Sequence, residues 1–141
     1  MGMVADIVPY HDYLFVHVAG SFSLDEANAV IVRIFKAITQ YAMPRVLIDC
    51  RQVKGNPTTT ERFEHAEFVS REGGKTSSTD VVSHPRLAYV GLRPLIEREH
   101  FGETVAINRG VAVKETDSME EALLWLRVNP AHNTSLQDMP A

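Results

Sequence analysis

The sequence predicts a single α/β domain built on a mainly parallel sheet of about five strands with an N-terminal hairpin. Three observations predict it. Short apolar segments alternate with helical ones along the chain, the order that builds parallel sheets through right-handed crossovers. One such segment, "RVLIDC", is continuously apolar in its middle, as strands covered on both faces are. The length, 141 residues with 45% hydrophobic content, suffices for one sizeable core and is too short for two ordinary domains.

The chain opens on a hairpin. "DYLFVHVAG" alternates Leu14, Val16 and Val18 with Tyr13, Phe15 and His17, and the weaker strand "MVADIV" precedes it across the turn-like "PYHD". "SFSLDEANAVIVRIFKAITQYAMP" is the strongest helix. Ser23 and Glu26 form its capping box, apolar residues recur at Leu24, Ala27, Val30, Ile34, Ile38 and Tyr41, and Pro44 stops it. "RVLIDC" follows as the buried strand, ending at Cys50, and a polar loop leads to Thr58, Thr59 and Thr60. From there "TTTERFEHAEFVSRE" reads as a second helix, with Phe63, Ala66 and Val69 on one side and Phe68 turned well away from them. "REGGKTSSTDVVSHP" has the glycines and small polar residues of a mobile loop, and "RLAYVG" returns to the sheet. "PLIEREHFGETVAINRG" predicts a third helix closed by Gly110, and "VAVKE" is the last strand. "DSMEEALLWLRV" closes the fold with Asp117 and Glu120 as a capping box and an apolar face of Met119, Ala122, Leu123 and Leu126. The domain spans residues 3–127 on this reading, and the polar residues 128–141 form a frayed tail.

Composition excludes several classes of function. A formal charge of -4 gives no clustered basic footprint for a phosphate backbone, so no nucleic-acid partner is expected. No apolar run approaches the roughly 20 residues that span a bilayer, and no integral membrane segment is expected. The single cysteine, Cys50, forbids an internal disulfide, and "MGMVADIVPY" lacks the basic and apolar regions of a signal peptide. A reduced, cytoplasmic location is the expectation.

The order of elements, the "RVLIDC" strand with its polar loop, and the terminal run "VAINRGVAVKETDSMEEALLWL" together resemble the SpoIIAA-like proteins of the STAS superfamily (sulfate transporter and anti-sigma factor antagonist), in the bacterial group also called STAS/SEC14-like. The match covers roughly residues 3 to 127. It implies strands in near-sequential order, helices mostly on one face, and use as a non-enzymatic, regulatory protein-interaction module. In the anti-sigma antagonists a strand ending in Asp is followed eight residues later by Asp-Ser-Ser/Thr-Gly, whose first Ser is phosphorylated by a partner kinase. Counted from Asp49, Pro57 falls at that Asp, Thr58 at the phosphorylated Ser, Thr59 at the next hydroxyl and Thr60 at the Gly. The acid and the glycine are therefore lost while two hydroxyls are kept. The SEC14-like side of the resemblance implies an alternative, a carrier or sensor of a lipid or other apolar small molecule.

Read as residues, Thr58 and Thr59 are candidates for a phosphorylation or anion site, because the N-H groups and dipole of a helix start favour negative charge. Thr58 with Glu61 is equally a capping box needing no further chemistry. Thr58, Glu61, His65 and Phe68 form the candidate partner-binding surface, with Phe68, off the core face, as its main clue. A sheet covered mainly on one side also predicts a homodimer, with the Tyr13, Phe15, His17 row as its contact. No catalytic residue, metal or cofactor is predicted. Cys50 has no activating signature around it and reads as core packing. Glu61 with His65, and Glu97 with His100, each offer two ligands where zinc takes three or four, and read as solvated surface pairs. "GGKTSS" lacks the first glycine of a phosphate loop, Val69 standing there, and Asn133-Thr134-Ser135 matches the glycosylation pattern only by chance.

Overall fold

The computed structural model describes residues 2–77, 84–96 and 111–128. Strands β1 (Val4–Pro9) and β2 (Leu14–Ser21) pair antiparallel, with Pro9 opposite Leu14 and the turn closed by the Tyr10 N-H donating to the Tyr13 carbonyl. β3 (Arg45–Lys54), β4 (Arg86–Val90) and β5 (Ala112–Thr116) then add in parallel, in the order β1-β2-β3-β4-β5. This is the mainly parallel, five-stranded sheet with an N-terminal hairpin that the sequence predicts.

Helix α1 (Leu24–Tyr41) follows its predicted pattern except at its end, where Tyr41 is exposed. Ala27, Val30, Ile31, Ile34, Phe35 and Ile38 are buried, the Ser23 hydroxyl accepts from the Glu26 N-H, and the chain turns off through a left-handed Ala42. The Glu26 side chain, however, accepts from the Met3 N-H and so ties the helix start to β1. Helix α2 (Thr59–Ser77) packs beside α1 on the same face of the sheet. Helix α3 (Met119–Leu126) lies on the opposite face, with Ala122 and Leu126 buried against Leu47, Ala88 and Val90. β3 is thus covered on both sides, Val46 and Ile48 facing one core and Leu47 the other.

Several boundaries differ from expectation, each for a local reason. β3 does not end at Cys50. Beyond a register shift after His17, Ala19, Gly20 and Ser21 of β2 keep pairing with Gln52, Val53 and Lys54, and Val53 turns into the core. α2 runs through Gly73-Gly74 instead of ending in a loop before them. A Cβ at Gly73 would lie 1.8 Å from Val111 Cγ2, so that glycine permits close packing and does not break the helix. The cap of α3 sits one residue later than predicted, at Ser118, whose hydroxyl accepts from the Glu121 N-H. Glu121 is held there by Lys114 at 3.0 Å and by the Thr116 hydroxyl at 2.9 Å.

The aromatic row on β2 is partly covered within the chain itself. Tyr13 is 1% exposed, set edge-on to Tyr10, and Phe15 packs against the same α3 cluster. The predicted third helix beyond Ile96, with Glu97, His100 and Gly110, and the tail from Asn129, with Asn133-Thr134-Ser135, lie outside the described residues.

Candidate functional site

The start of α2 is a closed capping box. The Glu61 N-H donates to Thr58 Oγ1 at 3.1 Å and the Thr58 N-H donates back to the Glu61 carboxylate at 2.9 Å. Thr58, Thr59 and Thr60 are all exposed. The carboxylate of Glu61 already occupies the positive end of the helix, so an anion arriving there meets a like charge. Arg62 lies below: its guanidinium donates to the carbonyls of Pro57, Pro94 and Leu95, binding α2 to the segment that follows β4.

Of the predicted surface residues, Thr58 and Glu61 come together and the other two turn elsewhere. Phe68 is half-buried and packs against the main core, whereas Phe63, expected on the core side, is 42% exposed. Ala66 and Val69 are buried as predicted, and Phe68 joins Val69 in the core while Phe63 stays outside. His65 does not pair with Glu61 in solvent. It points into the domain, where Nδ1 lies 2.8 Å from Asn28 Oδ1 on α1 and Nε2 lies 3.1 Å from the Tyr89 hydroxyl on β4.

This three-residue chain fixes its own protons. Burial pushes the His65 imidazole down to about 4, so the ring is neutral near pH 7. An amide oxygen can only accept, hence Nδ1 carries the hydrogen and Nε2 is bare, and the Tyr89 hydroxyl donates to it. Burial, with Cys50 and Glu115 nearby, raises the Tyr89 phenol well above its ordinary value, which keeps it protonated.

Around these groups is a cavity of about 100 Å³ between the sheet, α1 and α2. Val18, Ile34, Ile48 and Val69 form part of an apolar wall; Arg62, His65, Tyr89 and Glu115 are the polar side chains on it, together with the Cys50 thiol. Burial, then the nearby Asp49 and Glu115 carboxylates, pushes that thiol up to about 12, so it stays protonated and is a poor nucleophile. Among the described residues no three side chains of the metal-binding types converge, and no helix is long and apolar enough to cross a membrane.

On the other face, burial raises the Asp49 carboxyl, but the Arg51 side-chain and backbone hydrogen bonds, its charge and that of His17 outweigh this and hold it below the usual range. Arg51 Nε and a terminal nitrogen meet the two carboxylate oxygens at 3.0 Å each. The Arg51 pair therefore satisfies the Asp49 carboxylate in the middle of β3.

The sequence missed Asn28, Arg62 and Tyr89. A signal for two of them was present: Asn28 is a poor helix former inside the strongest helix, and Tyr89 brings a hydroxyl into an apolar strand, where it needs a partner.

No protein-family model and no curated protein matches the sequence. Solved structures do. An anti-sigma factor antagonist from Mycobacterium paratuberculosis superposes with a TM-score of 0.54 at 13% identity, over 90% of this chain and 96% of that one. An uncharacterized protein of the DUF3478 family from Shewanella loihica PV-4, described as having a SpoIIAA-like fold, superposes with a TM-score of 0.50 at 19% identity, over 89% and 94%. Both likenesses span nearly the whole of each chain, and by them the chain has a SpoIIAA-like fold.

Proposed function

We propose that this chain is a non-enzymatic regulatory module that binds a protein partner through the exposed start of α2, in a reduced, cytoplasmic setting. The observation that carries the reading is the surface of Thr58, Thr59 and Glu61 at a helix start that directly follows a central strand and its loop. The likeness in fold to an anti-sigma factor antagonist supports it. Phe63, the exposed aromatic of α2, takes the place in this surface that Phe68 and His65 leave by turning inward. Thr58 and Thr59 are its candidate modification sites, and phosphate on Thr58 would open the box, since the Thr58 oxygen would carry charge beside the Glu61 carboxylate. Self-association through the half-buried Phe15 and His17 belongs to the same proposal, and a monomeric mass by light scattering at micromolar concentration speaks against it.

The test is capture of partners from the source cells by the intact protein and by Thr58→Glu and Phe63→Ser. A stoichiometric protein retained by the wild type and lost from both variants, with their melting unchanged, is expected. If the wild type retains no protein, the partner reading fails.

The cavity favours a second reading, a sensor or carrier of an apolar small molecule. Its wall is apolar and its few polar groups converge at one place, as in ligand sites generally. Mass spectrometry of the natively purified protein tests it, a copurified small molecule being the expected result.

A further inference from the structure

The size and hydrogen-bond polarity of the cavity select a ligand class more narrowly than "apolar". At about 100 Å³ it falls well below the roughly 300–1,000 Å³ of common ligand pockets. It is of the same order as the engineered cavity of about 150 Å³ that takes benzene. A single ring fits a space of this size.

The wall then sets the polarity. With His65 Nδ1-H given to Asn28 and the Tyr89 proton given to His65 Nε2, the capacity left over within this relay is on the Tyr89 oxygen. Among the described residues that oxygen accepts no hydrogen bond, although the ring lies on the cavity wall. An acceptor left unmatched in an apolar cavity is a site for a donor. Two charged side chains share the wall. Arg62 directs its guanidinium to three backbone carbonyls, and the acid Glu115 opposes a second carboxylate.

We propose that the cavity binds a small apolar molecule of single-ring size bearing one hydroxyl, which donates its hydrogen bond to the Tyr89 oxygen. This rests on the small-molecule reading above and narrows it to phenol-like compounds, against ring carboxylates. The relay from Asn28 through His65 holds the Tyr89 hydroxyl in its donating orientation and so presents its lone pair to the guest.

Methyl-detected NMR titrations of the full chain with phenol, anisole, toluene and benzoate test the proposal. Phenol should shift the methyls of Val18, Ile34, Ile48 and Val69 and bind about tenfold more tightly than anisole, which has the same ring and oxygen but no donor. Toluene should bind as weakly as anisole, and benzoate should not bind. In Tyr89→Phe the preference for phenol over toluene should vanish while toluene binding is unchanged. The comparison of phenol with anisole on the wild type decides even if that variant fails to fold. Anisole or toluene binding as tightly as phenol would overturn the hydroxyl assignment and leave a cavity for apolar guests intact. If none of the four moves those methyls at low-millimolar concentration, the small-molecule reading itself falls with it. Imidazole nitrogen shifts showing His65 Nε2 protonated would also overturn the assignment, because the Tyr89 oxygen would then already be accepting.

Discussion

Thr58 makes one side-chain bond whose loss can be weighed. Thr58→Ala removes the acceptor for the Glu61 N-H and should cost about 1 kcal/mol in urea unfolding, whereas Thr58→Ser keeps the oxygen and should cost little. A neutral Thr58→Ala would mean that water replaces the cap. His65 sets a pH dependence of opposite origin to the usual salt bridge. Its pKa is lowered from 6.5 to about 4, so the unfolded chain binds the proton first. Its contribution is complete above about pH 6.5 and is lost as pH falls towards about 4, in all about 3 kcal/mol. Asp49 is also depressed, from 3.8, and its contribution is lost only at still lower pH. The two windows therefore separate. Urea unfolding at pH 7 and pH 4.5 should show wild type losing far more stability than His65→Gln; equal losses would place the imidazole in water. The capping box was legible because its two residues are three apart in sequence. The His65 contacts were not: Asn28 lies 37 positions away and Tyr89 24, and only the fold brings them together.

Elements that announce themselves by periodicity were read with their bounds nearly right, as α1 and the hairpin were. α2 was not, because Gly73-Gly74 carries the composition of a breaker while the close approach of Val111 gives one of the two glycines a packing reason. That difference can be measured. Gly73→Ala drives a Cβ into the Val111 side chain and should cost about 2 kcal/mol, as overpacked cores do. Gly74→Ala meets nothing within 4 Å and should stabilise by about 0.5 kcal/mol or more through helix propensity. Equal effects at both positions would show that α2 does not pack on Val111. The exit from α1 offers a third case. Ala42 is held at φ 52, a left-handed conformation that disfavours any Cβ by about 1–2 kcal/mol. Ala42→Gly relieves this and forfeits part of the gain to the freer unfolded chain, leaving about 0.5 kcal/mol of stabilisation, read as a raised melting temperature.

At the scale of the whole molecule, strand order was legible because short connections and right-handed crossovers leave few alternatives. The same rule puts α1 and α2 on one face, each joining successive parallel strands of a sheet that advances in one direction. Among the described residues α3 follows the last strand and joins no further strand, so no crossover rule fixes its face; it covers the side left open, and this is why Tyr13 is buried and Phe15 partly covered from within. Two cores result, separated by the sheet and sharing β3, whose Ile48 faces one and Leu47 the other. If β3 couples them, the domain unfolds as one unit. Trp125, the single tryptophan, reports on the α3 side, while helical circular dichroism reports mainly on α1 and α2. Ile34→Ala deletes a fully buried side chain on the α1 side and should cost about 2–5 kcal/mol. Its urea midpoint should fall equally by tryptophan fluorescence and by circular dichroism, as a two-state transition requires. A fluorescence transition that stays at the wild-type midpoint while the dichroism moves would show that the two faces of the sheet melt separately, and that β3 does not couple them.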